Sequence, residues 1–265
     1  MTGVNMSAEE YEYRGLIAAG WDLLRGDTSG YEDRAFYRHI IRSGGGPALD
    51  VGCGTGRLLL EYTADGLDVD GVDNSPEMLA ICREKAAALG LPVTLYEQGM
   101  EALDLPRRYQ TIFVPSCSFQ LLPDLQDARK ALAASLRHLV PGGTLVMSIW
   151  HIQSAGSVEW GDWWVVAERE GFEDGRSLKR WERSRYDAET QLRHTESRYE
   201  LIEDGKVVFT EEHRRSPELR NYGVAQLSAL LQEAGFVDVY ALAGFSDDPA
   251  GEEDSTFSIF GQRGN

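Results

Sequence analysis

The chain has 265 residues, with 43 Asp and Glu against 26 Lys and Arg, a formal net charge of −17 and a pI near 4.7. A field of that sign repels polyanions at long range, which argues against nucleic acid as a partner. The hydrophobic fraction of 42% suits a globular core, and no run approaches the roughly 18 apolar residues of a membrane span, which argues against a membrane partner as well.

The first residues, MTGVNMSAEEYEYRG, carry none of the basic start, apolar stretch or small-residue cleavage site of an export signal, so a cytoplasmic location is expected. Residues 8–24 and 31–42 have the periodicity of two amphipathic helices separated by the turn RGDTSG. From Pro47 the pattern alternates. PALDVG, LDVDGVD, PVTLYEQ, YQTIFVPS and GTLVMSIW read as strands; GRLLLEYTADG, SPEMLAICREKAAALG and QDARKALAASLRHL read as helices. Such alternation predicts a parallel sheet with helices on both faces. Ser75 before Pro76 marks a helix start, Gly90 marks its end, and LVPGG at 139–143 predicts a tight turn. Cys53, Cys82 and Cys117 are scattered, which gives neither a disulfide framework nor the paired spacing of a metal site.

After Trp150 the runs WWVVAERE, SLKRWERSRYD, TQLRHTESRYELI and KVVFTEEHRR are extended and joined by turn residues, predicting an antiparallel β insert over 151–215. VAQLSALLQEAG restores a helix, and FVDVYALAGF and DSTFSIFGQR close the chain as strands. The organisation expected is therefore lid helices and a cofactor-binding core over 1–150, the insert over 151–215, and a segment over 216–265 that completes the core.

Gly52-x-Gly54-x-Gly56, with Cys53 inside it, lies between a strand and a helix, where glycine tolerates positive φ and lets a ligand approach bare backbone. Asp73 ends the next strand 21 positions after Gly52, about where a carboxylate meets a ribose diol in a strand-helix-strand nucleoside site, and Asn74 and Ser75 follow it. Dinucleotides and S-adenosylmethionine compete for such a site. Asp50 beside the turn would repel a pyrophosphate and attract a sulfonium or ammonium, and the spacing is not the G-x-G-x-x-G of a pyrophosphate loop. The lesser alternative is that Asp50 bonds the turn's own amides.

ALDVGCGTGRLLL, VDGVDNSPEMLAICREK, FVPSCSFQLL and LRHLVPGGTLVMSIW resemble the successive motifs of the class I S-adenosylmethionine-dependent methyltransferases, in their small-molecule branch. The resemblance implies an α/β Rossmann-like fold with a seven-stranded, mostly parallel sheet of order 3-2-1-4-5-7-6. It also implies that Asp50, Gly52 and Gly54 face the methionine moiety, Asp73 the ribose, and Ser75 and Met78 the adenine side. Where many relatives have an aspartate for the adenine amino group this chain has Gly99, so Gln98, Met100 or backbone groups must substitute.

Methyl transfer is an in-line displacement at a sulfonium, which asks mainly for orientation and proton removal. Ser116, Ser118, Phe119 and Gln120 follow the fourth strand, where they either line the transfer region or cap a turn. The segment lacks the Asn/Asp-Pro-Pro-Tyr/Phe pattern of base and amide methyltransferases, and no carboxylate trio suggests a metal. Trp21, Tyr31 and Tyr37 are candidates for an aromatic lid over the sulfonium. Tyr31, His151 and His194 are the candidate catalytic groups, with His213 a further base, although each histidine could be structural. Trp181, Arg183 and Arg185 alternate onto one face of the insert, and Arg193, Arg198, Arg214, Arg215 and Arg220 add positive charge. These either recognise an anionic acceptor or pair with Glu182, Glu196 and Glu200 on a solvated sheet. The expectation is methyl transfer from S-adenosylmethionine to nitrogen or oxygen of a small molecule; an NAD-dependent oxidoreductase and a noncatalytic nucleoside binder are the alternatives. Monomer and homodimer both stay open.

Overall fold

The computed structural model describes residues 13–152, 159–213 and 218–265; Arg214, Arg215 and residues 8–12 of the first expected helix lie outside them. In chain order the helices are α1 (Gly15–Ala19), α2 (Trp21–Arg25), α3 (Asp33–Gly44), α4 (Leu59–Ala64), α5 (Pro76–Leu89), α6 (Leu125–His138) and α7 (Val224–Glu233). The strands are β1 (Ala48–Val51), β2 (Val69–Asp73), β3 (Thr94–Glu97), β4 (Tyr109–Val114), β5 (Leu139–Trp150), β6 (Trp164–Phe172), β7 (Arg176–Asp187), β8 (Leu192–Glu203), β9 (Lys206–His213), β10 (Leu219–Arg220), β11 (Phe236–Ala243) and β12 (Thr256–Arg263).

Seven strands form one sheet in the order β3-β2-β1-β4-β5-β12-β11. Counting only its own members, that is 3-2-1-4-5-7-6. β1 to β5 are parallel, and β12 runs antiparallel to both neighbours. β1 is buried along its whole length, as a central strand covered on both faces must be. One face packs Leu49, Val51, Ile112 and Leu145 against α6 and α7; the other packs Ala48, Phe113 and Val146 against α3, α4 and α5. A second, antiparallel sheet joins β6, β7, β8, β9 and β10.

Local signals set several element ends. Ser75 Oγ accepts the Met78 N–H at 3.1 Å and Pro76 occupies the first turn, so α5 starts where the sequence places it; Gly90 ends it in the left-handed region. Three expectations need correction. The first helix is broken at Gly20, where Leu178 of the insert and the Leu16 carbonyl leave no room for a Cβ. LVPGG is not a turn before β5 but its opening stretch, with Gly142 at φ +73 and a register shift opposite β4. The second sheet also reaches past residue 215, since Leu219 and Arg220 pair with Arg193 and Leu192. No helix among the described residues is long and apolar enough to cross a membrane.

Candidate active site

β1 carries Asp50 and the glycine turn to the C-terminal edge of the sheet beside β4, where the strand order reverses and a crevice opens. The Gly52 and Cys53 amides donate to the Val72 carbonyl at 2.8 and 3.1 Å, which ties the turn to β2. Gly52 and Gly54 have φ of +76° and +53°, a conformation other residues adopt only with strain. A Cβ on Gly52 would stand 2.9 Å from Ser118 Oγ, whereas one on Gly54 would meet only Met78 Cε, at 4.0 Å. Gly54 therefore shows bare backbone to the space in front of it.

That space is a cavity of about 480 Å³. Its walls hold Asp50, Gly52, Cys53, Gly54, Asp73, Asn74, Met78, Met100, Ser116, Trp21 and Tyr31, so the fold brings together every cofactor candidate of the sequence except Ser75 and Gly99. Ser75 is buried and committed, capping α5 and donating from Oγ to the Tyr13 carbonyl at 2.5 Å. Gly99 is replaced at the wall by its neighbours Gln98, Met100 and Glu101. The Gln98 side chain is spent on Asp104, bonding its N–H at 2.8 Å and its carbonyl at 3.1 Å. Met100 and Glu101 remain at the wall, and the sequence reading missed Glu101.

Charge is arranged from one end of the cavity to the other. Asp73 accepts the Gly54 N–H at 2.8 Å and the Ser75 N–H at 2.9 Å; burial raises its pKa against the pull of these amides. Asp50 is fully buried, and its Oδ1 has no hydrogen-bond partner. Burial pushes its pKa up to about 8, with Arg57 opposing and Asp73 and Asp33 adding to the rise. Arg57 is held by Asp33, Nη1 to Oδ1 at 3.0 Å, and its guanidinium lies 5.5 Å from the Tyr31 ring centroid. Arg25 donates to Ser116 Oγ at 3.0 Å and lies 5.5 and 5.8 Å from the rings of Trp21 and Tyr31; burial, then Arg57, lowers its pKa. Ser116 and Cys117 both have positive φ, so this corner is built from strained backbone.

The N-terminal helices are fastened over the turn, with Thr55 Oγ1 donating to Asp22 at 2.6 Å. Trp21 and Tyr31 reach the cavity from there, but Tyr37 does not. It is wholly buried against Phe113 on the far side of β4 and belongs to the core.

The histidines expected as bases do not line the cavity. His151 Nδ1 bonds the Tyr222 carbonyl at 2.9 Å, His194 Nδ1 lies 3.0 Å from Glu218, and His213 Nε2 lies 2.6 Å from Glu211. Gln120 and Phe119 are structural too. The Gln120 amide bonds the Trp150 N–H at 2.7 Å and the Trp150 and Arg220 carbonyls at 2.9 Å, and Phe119 packs on Tyr222. Among the described residues no group of three or more His, Cys, Asp and Glu is placed to hold a metal ion.

Of the insert's charged residues, Arg183 and Arg198, with Trp181, sit on the wrong face for the role the sequence suggested, whereas Arg193 is on the inward face, bonded to Glu182 at 3.0 Å. Arg183 bonds Glu196 at 2.7 Å, Trp181 Nε1 bonds Glu200 at 2.8 Å, and Arg198 bonds Glu212 at 3.2 Å, all away from the cavity. The inward face is the one beside them: Arg180 and Tyr199 line the cavity.

A doubly wound sheet, a glycine turn against a buried carboxylate and a second carboxylate at the end of β2 define a nucleoside-binding site of the S-adenosylmethionine type. Residues 48–143 match the family model of a methyltransferase domain. The chain is 29% identical over 152 residues to a ubiquinone biosynthesis O-methyltransferase of Photorhabdus laumondii, covering 54% of this chain and 62% of that protein. It is 31% identical over 133 residues to a dTDP-3-amino-3,4,6-trideoxy-alpha-D-glucopyranose N,N-dimethyltransferase of Streptomyces venezuelae, covering 50% and 52%. It thus spans between half and two thirds of these relatives' lengths. The solved structure of the sugar N-methyltransferase KedS8 from Streptoalloteichus shares the fold over all of this chain and 99% of its own, with a TM-score of 0.73 and 23% identity. Residues 48–143 are thus a methyltransferase domain, and the fold and relatives fit the small-molecule branch of the class I S-adenosylmethionine-dependent methyltransferases.

The residues present suit that cofactor. Asp50 Oδ1 is a buried acceptor without a partner, the bare face of Gly54 leaves room for a ligand against the backbone, and Asp73 stands at the end of β2 to receive a diol. At the far end Arg25 and Arg57 can meet a carboxylate.

Proposed function

We propose that the chain transfers a methyl group from S-adenosylmethionine to the nitrogen of a small-molecule amine. The observation that carries this reading is the division of the cavity wall. Its carboxylates, Asp50, Asp73 and Glu101, all belong to β1, β2 or the segment after β3, on the nucleoside half. The remainder includes Tyr13, Ile17, Tyr31, Ser116, Leu121, Leu122, Val166, Arg180 and Tyr199, and among the described residues it holds neither a histidine nor a carboxylate.

S-adenosylmethionine supplies an electrophilic methyl on a good leaving group, so a neutral amine needs no base before attack, whereas a hydroxyl does. Tyr199 offers little help as a base, because burial pushes its pKa up to about 12. The protein's part is therefore to exclude water, hold the nucleoside on the glycine turn and present the nitrogen lone pair. The relatives that methylate amino sugars support nitrogen as the acceptor atom. The buried Asp50 and the glycine spacing disfavour a pyrophosphate ligand, and with it the oxidoreductase reading.

The test is calorimetry with S-adenosylmethionine, S-adenosylhomocysteine and NAD, followed by a panel of amino sugars and amino acids with labelled methyl donor. Binding of both sulfur nucleosides and label on nitrogen support the proposal. Binding of NAD alone overturns the cofactor, and label confined to hydroxyl groups overturns the acceptor atom.

A further inference from the structure

A second cavity, of about 270 Å³, adjoins the first and shares seven lining residues with it, among them Trp21, Ser116, Arg180 and Tyr199. Its remaining wall includes Trp150 at the end of β5 and Ser197 of β8. The register of β7 on β8 sets Arg180 opposite Tyr199, Glu182 opposite Ser197 and Ser184 opposite Thr195, all on one face. This is the face that packs toward α1 and α2, and Glu182, Thr195, Ser197 and Tyr199 are buried on it.

A polar stripe buried at this depth needs its hydrogen bonds satisfied. One carboxylate serves two cations here: Glu182 accepts from Arg180 Nη2 at 2.6 Å and from Arg193 Nη2 at 3.0 Å. Arg193 is further held over the Trp150 ring, 4.8 Å from its centroid. Arg180 Nε is buried with no hydrogen-bond partner, and so is Thr195 Oγ1. The nearby Glu211, opposite Tyr199, is already engaged by the Leu16 amide at 3.1 Å and by His213 at 2.6 Å. Two guanidiniums sharing one carboxylate, one of them Arg180 on the wall of both cavities, leave an excess positive charge that an incoming anion would offset.

We propose that Arg180 anchors an anionic group of the methyl acceptor, a carboxylate or a phosphate, in the smaller cavity. The acceptor is then an amine that also carries an anion, its nitrogen lying toward the junction with the larger cavity. This rests on the methyltransferase reading above, because it takes the larger cavity as the nucleoside's. Glu182 holds the guanidinium in place, and Arg180, on the border of both cavities, sets the distance between the anion and the reacting nitrogen.

Protein saturated with S-adenosylhomocysteine is titrated calorimetrically with inorganic phosphate and, separately, with acetate, for the wild type, R180Q, R180K and R183Q. The wild type is expected to bind at least one anion, and the preferred one tells a phosphate from a carboxylate acceptor. R180Q should raise that Kd about ten-fold or more, the loss expected of a charge-assisted bond. R180K, which keeps the charge but not the planar fork, should raise it severalfold, and R183Q, on the outer face, should leave it unchanged. Unchanged S-adenosylhomocysteine affinity in R180Q shows an intact fold; if R180Q fails to fold, R180K gives the answer. Equal anion affinity in the wild type and the Arg180 variants, or no anion binding by the wild type, overturns the anchor and leaves the methyltransferase reading standing. Failure of the wild type to bind S-adenosylhomocysteine overturns that reading instead.

Discussion

The carboxylate of Glu101 fills the space that a side chain at Gly99 would enter: an ideal Cβ on Gly99 would stand 2.6 Å from Glu101 Oε2. An acidic group is therefore present at the wall after β3, delivered from two residues further along the chain by the 3-10 turn Met100–Ala102. If it accepts a hydrogen bond from the adenine amino group, E101A should weaken S-adenosylhomocysteine binding about ten-fold. Binding of the inosine analogue, which has no amino group, should hardly change. Equal losses for both ligands in calorimetric titration would assign Glu101 a merely structural role.

Asp50 gives the ligand-free protein a pH dependence of definite sign. Its pKa is 3.8 in an unfolded chain and is pushed up to about 8 by burial, so between these values the folded state binds more protons than the unfolded one. Stability then falls as pH rises through that window. Asp73 is shifted the same way, so D50N should reduce the slope without abolishing it. Melting temperatures at pH 5, 6.5 and 8 should show D50N gaining on the wild type as pH rises, and a constant difference contradicts the assignment. Binding a cation beside Asp50 should also release a proton, seen as a buffer-dependent calorimetric enthalpy.

G54A places a methyl group on the open face of the turn and forces a positive φ on alanine. Strain of about 1–2 kcal/mol is expected in the fold. The larger effect should fall on the ligand: S-adenosylhomocysteine affinity lowered by more than about ten-fold, with the far-ultraviolet circular dichroism unchanged. Wild-type affinity in G54A would move the nucleoside away from the turn.

Gln120 ties the end of β5 to β10 through its three bonds to Trp150 and Arg220. Q120L keeps the volume and leaves those buried backbone groups unpaired, at a cost of about 2–4 kcal/mol. Urea denaturation measures it. A cost near zero would show the amide to be dispensable.

His194, at 3.0 Å from Glu218 and off the cavity wall, should be replaceable. H194Q is expected to change kcat by less than about two-fold once an acceptor is in hand. A large fall with its pH profile altered would restore the histidine as a base.

Much of this was legible in order along the chain. The glycine turn, Asp73 at the end of the next strand and the Ser75-Pro76 helix start are local patterns, and each lies where its spacing put it, because backbone conformation and capping depend on neighbours a few residues distant. Alternation along β7 was legible too, since side chains in a strand point to opposite faces by geometry alone.

Which face turns inward was not. Period two names Trp181, Arg183 and Arg185 as one set and Arg180, Glu182 and Ser184 as the other, and only the packing of Leu178, Tyr199 and Leu201 against α1 and α2 decides that the second set meets the cavity. The same holds for Glu101 standing in for residue 99 and for the histidines drawn off to Tyr222, Glu218 and Glu211. The sequence by itself determined the parallel strand-helix alternation and the glycine turn, because these follow from short-range spacing, while the strand order and the ligand class came with the resemblance its motifs carry. The tertiary structure alone decided which charged side chains share a wall, because that depends on contacts between segments far apart in the chain.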